Sequence, residues 1–355
     1  MLDPELGKLR GKDPEAVPIL LDMISQAVDD NQRSLAEERA RLAETVRGKA
    51  ILVIDSAFGV PTANLQTRLK YLREIDGQES AAHLVLKKAL KKEVPRNTTE
   101  VFGQFLGPEV NLVHQDIRYE RRYYRGEVGA VILTGSPANV DFVGSRDKLS
   151  RHTSLGDKEV CDRLKTVHDF CLKEGIPVLA FCFGFQMISK LLGGEVKEMD
   201  EDRGGFETVT VTRDGGRVLK GLFGKEFSGG EAYVSHGQQA FLNPEASLEI
   251  LEMTDAESGQ RISHGSINAD QKDASFNGNV ARNVQQVRQL MEDGRYVSLA
   301  LQSHPELAFV NTLLRNLISN VSLAEYEKIP QRMAFPKELL GLITDFLGAH
   351  KRIRK

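Results

Sequence analysis

Cysteine is scarce. The 355-residue chain holds three, at positions 161, 171 and 182, too few and too scattered for a disulfide framework. Long apolar runs are missing as well. The longest, Ile176 to Phe185, has about ten residues, against the roughly 18 or more that a membrane span needs. The N-terminal Met1-Leu2-Asp3-Pro4-Glu5 lacks the basic-then-apolar order of a signal peptide. No sign of charge dominates: 47 Lys and Arg face 50 Asp and Glu, a net −3. That excludes a general electrostatic grip on nucleic acid, though not a local basic patch. Gly221-Leu222-Phe223-Gly224-Lys225-Glu226 has neither the spacing nor the Ser/Thr of a Walker A loop, and Gly-x-Gly-x-x-Gly is absent. Repeats and low-complexity tracts are absent too. These absences predict a soluble, cytoplasmic protein of a reducing compartment, with no membrane or nucleic-acid partner, no metal and no cofactor.

What is present describes a globular chain. Hydrophobic residues make up 41% and glycines number 31, enough to build a sizeable core in one large domain or two. Residues 1–48 read as a helical extension. Val17, Leu20, Met23, Ile24 and Ala27 recur at helical spacing, and the segment 35–46 is rich in Ala, Glu and Arg. Short apolar runs at 49–55, 110–114, 130–134 and 177–181 read as buried parallel strands. Helical stretches near 65–92 and 157–174 lie between them. This alternation predicts an α/β domain, taken as 49–320, around a mostly parallel sheet. Glu207–Thr212 alternates at period two, and 231–235 and 296–302 read as further strands. Residues 256–283, rich in Asn, Ser, Asp and Gly, are expected as an inserted polar loop, with His264 solvated. Helices near 308–327 and 336–350 close the chain, with 321–355 taken as a helical tail. Its basic end, His350-Lys351-Arg352-Ile353-Arg354-Lys355, reads as a solvated terminus.

The chemistry concentrates in Ile176-Pro177-Val178-Leu179-Ala180-Phe181-Cys182-Phe183-Gly184-Phe185-Gln186. An apolar strand runs into Cys182, small residues stand two positions to either side, and a helix follows from Gln186 to Leu192. Strand, tight turn and helix make a nucleophile elbow with Cys in place of Ser. The adjoining helix N-terminus favours thiolate, and the Phe183 amide faces a developing oxyanion. Taken alone, the pattern fits a core cysteine equally well. A thiolate needs a base and the base an orienting partner. Gln302-Ser303-His304-Pro305-Glu306 offers both on one proline-stiffened loop, although His-Pro-Glu by itself is a common loop triplet.

Together these segments resemble the class I, or triad, glutamine amidotransferases. Ala130–Val140, with Gly135-Ser136-Pro137, is similar to that family's strand and Gly-Ser-Pro loop. Leu191-Leu192-Gly193-Gly194 is similar to the end of its elbow helix. Tyr233-Val234-Ser235-His236-Gly237 is similar to the Ser-His-Gly turn of the GMP synthetase branch. The resemblance spans about 50–320. It implies a flavodoxin-like, doubly wound fold carrying the elbow, with helical extensions at both ends. It also implies a glutaminase in which Cys182 attacks the carboxamide, His304 moves the proton and Glu306 orients His304. The amides of Phe183 and of Gly135 or Ser136 would hold the oxyanion, and Gln186, Ser235 and His236 the substrate. The implied substrate is glutamine or a γ-glutamyl compound, as for a γ-glutamyl peptidase. With no synthetase domain recognised, ammonia would pass to a separate synthase subunit or to solvent. A homo-oligomer and a catalytically quiet protein on the same fold stay open. Ala180 departs from the family's usual Gly and Phe185 from its His or Met.

Cys161, His168 and Cys171 share one side of a helix with Leu164. Three ligands on one helix rarely close a tetrahedral site, so packing is the expectation. Cys161 and Cys171 lie about 15 Å apart along the helix and are not bridge partners.

Overall fold

The computed structural model describes residues 16–56, 97–117, 128–136, 140, 157–255, 259–307 and 329–354. Its centre is a nine-stranded sheet, in the order β2-β1-β3-β4-β9-β8-β7-β5-β6. β1 (Ala50–Asp55), β2 (Leu112–Asp116), β3 (Val128–Leu133), β4 (Val178–Phe181) and β9 (Val297–Leu301) run parallel. β8 (Arg261–Ala269), β7 (Ser247–Thr254), β5 (Glu195–Val211) and β6 (Gly229–Phe241) extend it antiparallel.

The strand sequences explain the layering. β1, β3, β4 and β9 are buried at every residue, as strands covered on both faces must be. Successive side chains point to opposite faces. Ile51, Val53, Ala130, Ile132, Leu179 and Phe181 enter one core, while Leu52, Ile54, Val131, Leu133, Val178 and Ala180 enter the other. α1 (Ala16–Thr45), α2 (Thr98–Leu106), α6 (Val280–Asp293) and α7 (Ile329–Ala349) supply Leu42, Phe102, Val287 and Phe346 to the first core. α3 (Asp157–Glu174) and α4 (Phe183–Leu191) supply Leu164, Val167, Phe185 and Ile188 to the second. Helices on both faces make the sheet doubly wound, the expected class. α5 (Arg213–Phe223) is capped by Thr212, whose hydroxyl accepts from the Gly215 amide.

The N-terminal helix docks on the body. Leu35, Leu42 and Val46 join the first core, α1 packs along α7, and Arg41 pairs with Asp345. The side chains of the predicted stripe Val17, Leu20, Met23, Ile24 and Ala27 lie outside the described residues, as do the predicted helices near 65–92 and 308–327.

Four expectations are corrected. The second strand starts at Leu112 rather than 110, and the elbow helix starts at Phe183, directly after Cys182. Of residues 256–283, only the stretch 270–279 forms a largely exposed polar loop. The stretch before it is β8, an inner strand between β7 and β9, and His264 on it is fully buried rather than solvated. Two of its polar side chains find partners across the strands: Asn268 donates to the Ser298 hydroxyl at 3.1 Å, and Ser263 bonds Glu249. Nor is the basic end loose. In α8 (Lys351–Arg354), Ile353 is buried, and Arg352 donates to the carbonyls of Val128 (2.9 Å) and Glu174 (2.6 Å). Cationic donors satisfy backbone carbonyls that the strand and helix ends leave without partners. Cys161, His168 and Cys171 pack in the second core's neighbourhood, with His168 edge-on to Tyr296. Among the described residues no group of three or more His, Cys, Asp or Glu could hold a metal, and no helix is long and apolar enough to cross a membrane.

Candidate functional site

The site forms where β3, β4 and β9 end, beyond the carboxyl edge of the parallel sheet. β4 delivers Cys182 with φ 50° and ψ −105°, the only positive φ at a non-glycine among the described residues. Such a conformation costs about 1–3 kcal/mol and survives only where neighbours over-determine it. Here the Cys182 amide donates to the Leu301 carbonyl at 2.7 Å, and the Cys182 carbonyl accepts from the Gln186 amide at 3.1 Å. Gly184 allows α4 to sit against β3, since a Cβ there would fall 2.6 Å from the Leu133 carbonyl oxygen. Cys182 occupies the N-cap of α4 without a side-chain capping bond, so the first amides of the helix, Phe183 among them, point toward the thiol unclaimed by a cap.

His304 follows β9. Its amide donates to the Tyr233 carbonyl at 2.8 Å, and its Nδ1 lies 2.8 Å from Glu306 Oε1. His304 and Glu306 are both buried. Burial alone would lower the His304 pKa. Cys182 and the Glu306 carboxylate, each hydrogen-bonded to the ring, outweigh it and hold the pKa well above the ordinary value. The Glu306 bond assigns a proton to Nδ1 and leaves Nε2 for the sulfur.

The loop after β3 passes directly over this pair. A Cβ on Gly135 would lie 2.5 Å from His304 Cε1 and 3.5 Å from Cys182 Cβ, so backbone at 135 approaches both groups closely. A hydroxyl network fixes the start of the loop. Ser56 Oγ bonds the carbonyls of Thr134 (3.2 Å) and Gly135 (3.3 Å), and the Thr134 hydroxyl reaches the Ile54 carbonyl at 3.1 Å. Ser136 is half-buried beside it, and Pro137, Ala138 and Asn139 lie outside the described residues.

β6 forms the remaining wall. Ser235 presents its carbonyl oxygen 3.6 Å from Cys182 Sγ, with its side chain exposed. The His236 ring turns inward, its Nδ1 3.0 Å from the Gln238 carbonyl. Gln186 is buried too, and its amide donates to the Gln238 carbonyl (3.0 Å) and Gln302 Oε1 (3.3 Å). The structure thus brings Cys182, His304, Glu306, Gly135 and the Ser235 backbone together. It places Gln186 and the His236 ring in the layer behind them. Sequence reasoning missed Gln238, two residues past His236 on the same strand face, and the Ser56–Thr134 pair; each owes its place to a partner far away in sequence.

Comparison with known proteins gives one family. The family model for glutamine amidotransferase class-I matches residues 103–312. A subunit of the glutamine-hydrolyzing GMP synthase of Methanococcus maripaludis is 26% identical over 162 residues, covering 45% of this chain and 70% of its own. The corresponding GMP synthase subunit of Sulfolobus acidocaldarius is 30% identical over 90 residues, covering 25% and 45%. The glutamine-hydrolyzing GMP synthase of Limosilactobacillus reuteri is 38% identical over 78 residues, and the chain spans only 14% of that relative's length. A solved glutamine amidotransferase from Thermotoga maritima aligns over 86% of this chain and 99% of its own, at 14% identity and a TM-score of 0.45.

Proposed function

The chain belongs to the class-I glutamine amidotransferases, and on that premise we propose that it hydrolyses the side-chain amide of glutamine through a Cys182 thioester, with His304 and Glu306 completing a triad. The observation that carries the reading is the strained Cys182, held at the N-terminus of α4 in contact with a buried, carboxylate-backed imidazole.

The reaction starts from the Cys182 thiolate beside a protonated His304, the form in which the sulfur is nucleophilic. The Cys182 sulfur attacks the amide carbon, and the amides of Phe183 and of Gly135 or Ser136 receive the oxyanion. The imidazolium gives its Nε2 proton to the departing nitrogen, which leaves as ammonia. The now neutral His304 takes a proton from water, which attacks the thioester. The sulfur departs, glutamate is released and the ion pair returns. Glu306 holds the ring and stabilises its charge without accepting the proton. The exposed Ser235 of β6 and the Gln186 layer shape the pocket for the amino-acid end of the substrate.

The relatives named as separate subunits of GMP synthase support a further step, transfer of ammonia to a synthase partner rather than to solvent. The test measures glutamate and ammonia release from glutamine by the purified chain, beside glutamate release from γ-glutamyl dipeptides. Turnover of glutamine that Cys182→Ala abolishes supports the reading. Turnover of dipeptides alone would replace it with a γ-glutamyl peptidase, and turnover of neither would refute a free-standing hydrolase.

A further inference from the structure

We propose that Gln238 is a positioning residue that holds the chain just past the oxyanion donors and the sulfur-facing stretch of β6 in register; this rests on the glutaminase reading above. Gln238 sits on β6 and is buried, with only 3% of its surface exposed. Three bonds converge on it, from Val140, from α4 and from its own strand. Its side-chain Oε1 accepts from the Val140 amide at 2.9 Å. Its carbonyl accepts from the Gln186 side chain of α4 at 3.0 Å and lies 3.0 Å from His236 Nδ1.

Each bond ties down a different part of the site. Val140 lies four residues beyond Ser136 in sequence, so the Gln238 side chain fixes the chain on the far side of Ser136, as Ser56 and Thr134 fix it on the near side. An oxyanion donor needs such anchoring, because its value lies in not having to reorganise as charge develops. The His236 bond fixes the ring next to Ser235, whose carbonyl faces the sulfur. The Gln186 bond joins the same point to the first turn after the nucleophile and, through Gln302, to the strand that leads to His304. The Val140 bond alone runs through the side chain, so substitution at 238 isolates it and leaves the two carbonyl bonds in place.

Gln238→Met keeps the volume and removes the acceptor. Gln238→Glu keeps an acceptor for Val140. Relative to wild type, Gln238→Met is expected to lower kcat at least ten-fold with KM within three-fold, since a loosened oxyanion loop weakens transition-state binding and leaves ground-state binding intact. Gln238→Glu is expected to recover a large part of kcat. Alkylation of Cys182 by iodoacetamide, which has no oxyanion, should proceed within two-fold of wild type in both. Hydrogen exchange should show the Val140 amide protected in wild type and released in Gln238→Met. Unchanged kcat in Gln238→Met, equal loss in the two variants, or an unprotected Val140 amide in wild type would each overturn the proposal. The wild-type exchange measurement needs neither turnover nor a folded variant. If wild type hydrolyses nothing, the functional reading fails, and protection at Val140 still decides the anchoring separately.

Discussion

Gly135→Ala isolates the geometry of the proposed catalytic pair better than removal of either member. Gly135 has no positive φ, so alanine introduces no backbone strain and the effect is steric. The new methyl would lie 2.5 Å from His304 Cε1, whereas ordinary contact begins near 3.4 Å. The ring, the loop or both must therefore shift by about 1 Å, and displacement of a reacting group by that much costs on the order of 100-fold in rate. The ring is the weaker party, because backbone and hydroxyl bonds from Ser56 and Thr134 brace the loop, while only its bonds to Glu306 and to Cys182 hold the imidazole. A fall of about 100-fold in kcat corresponds to about 2.7 kcal/mol in the barrier. Folding should lose about 1–3 kcal/mol at the overpacked point. Steady-state glutamate release, read beside thermal melting, separates the two effects. A Gly135→Ala protein that melts like wild type and keeps more than a third of its kcat would show that His304 has room to spare, and the steric account of the pair would be wrong.

The other expectations are sharper in outcome than in size. Cys182→Ala should remove all turnover and leave melting little changed, since only the single Sγ atom is removed; glutamine-like chloroketones should label Cys182 and spare the buried Cys161 and Cys171, and mass mapping of the label checks it. His304→Asn should abolish turnover, while Glu306→Gln, which still accepts from the ring but no longer stabilises its charge, should cost less; equal rates for Glu306→Gln and wild type would remove Glu306 from the triad. Burial lowers His168 and His350 to about 4 and His264 to about 3. Folded pKa values below the unfolded value near 6.5 mean that the unfolded chain takes up more protons, so this stability is complete above pH 6.5 and drains away as pH falls toward 4. Each histidine accounts for a contribution on the order of 3 kcal/mol; melting temperature should fall steeply from pH 6.5 to 4.5, and a flat profile would contradict the burial. His304 runs the other way, its charged form persisting above pH 6.5, so the upper limb of the kcat/KM profile should lie well above that pH.

The legible parts of this molecule were those whose cause is local. A run of apolar residues ending at Cys182 with small residues on either side defines an elbow within a dozen positions, and the His304–Glu306 spacing defines a dyad within three. The parallel strands were legible because burial on both faces leaves a continuous apolar run. β8 hides for the opposite reason. Ser263, His264, Ser266 and Asn268 give it the composition of a surface loop, and only the strands beside it supply partners such as Ser298 and Glu249. The basic tail misleads in the same way. His350 and Arg352 bond carbonyls at Arg295, Val128 and Glu174, positions that become neighbours only after the sheet has formed.

The same distinction divides the site itself. The groups proposed to do chemistry announce themselves by residue type, because few side chains can serve as nucleophile or base. The groups that hold them are glutamines, serines and carbonyl oxygens, which occur everywhere and gain meaning from what they touch. Cys182 keeps its positive φ through the Leu301 carbonyl, His304 its place through the Tyr233 carbonyl, and Gly135 its place over both through Ser56. No side chain at 301 or 233 reveals those two bonds, since the backbone makes them whatever residue stands there. What substitution can reach is the strand register that aligns them. β4 pairs Phe181 with Leu301, and β8 pairs Gly265 with the same residue. A Cβ on Gly265 would meet Leu301 Cδ2 at 2.9 Å, so Gly265→Ala presses on the residue whose carbonyl restrains the nucleophile. A loss of activity in that variant with Cys182, His304 and Glu306 untouched, measured as kcat beside the rate of Cys182 alkylation, would trace catalytic geometry back to sheet packing. Wild-type values for both would show the elbow to be held by its own turn alone.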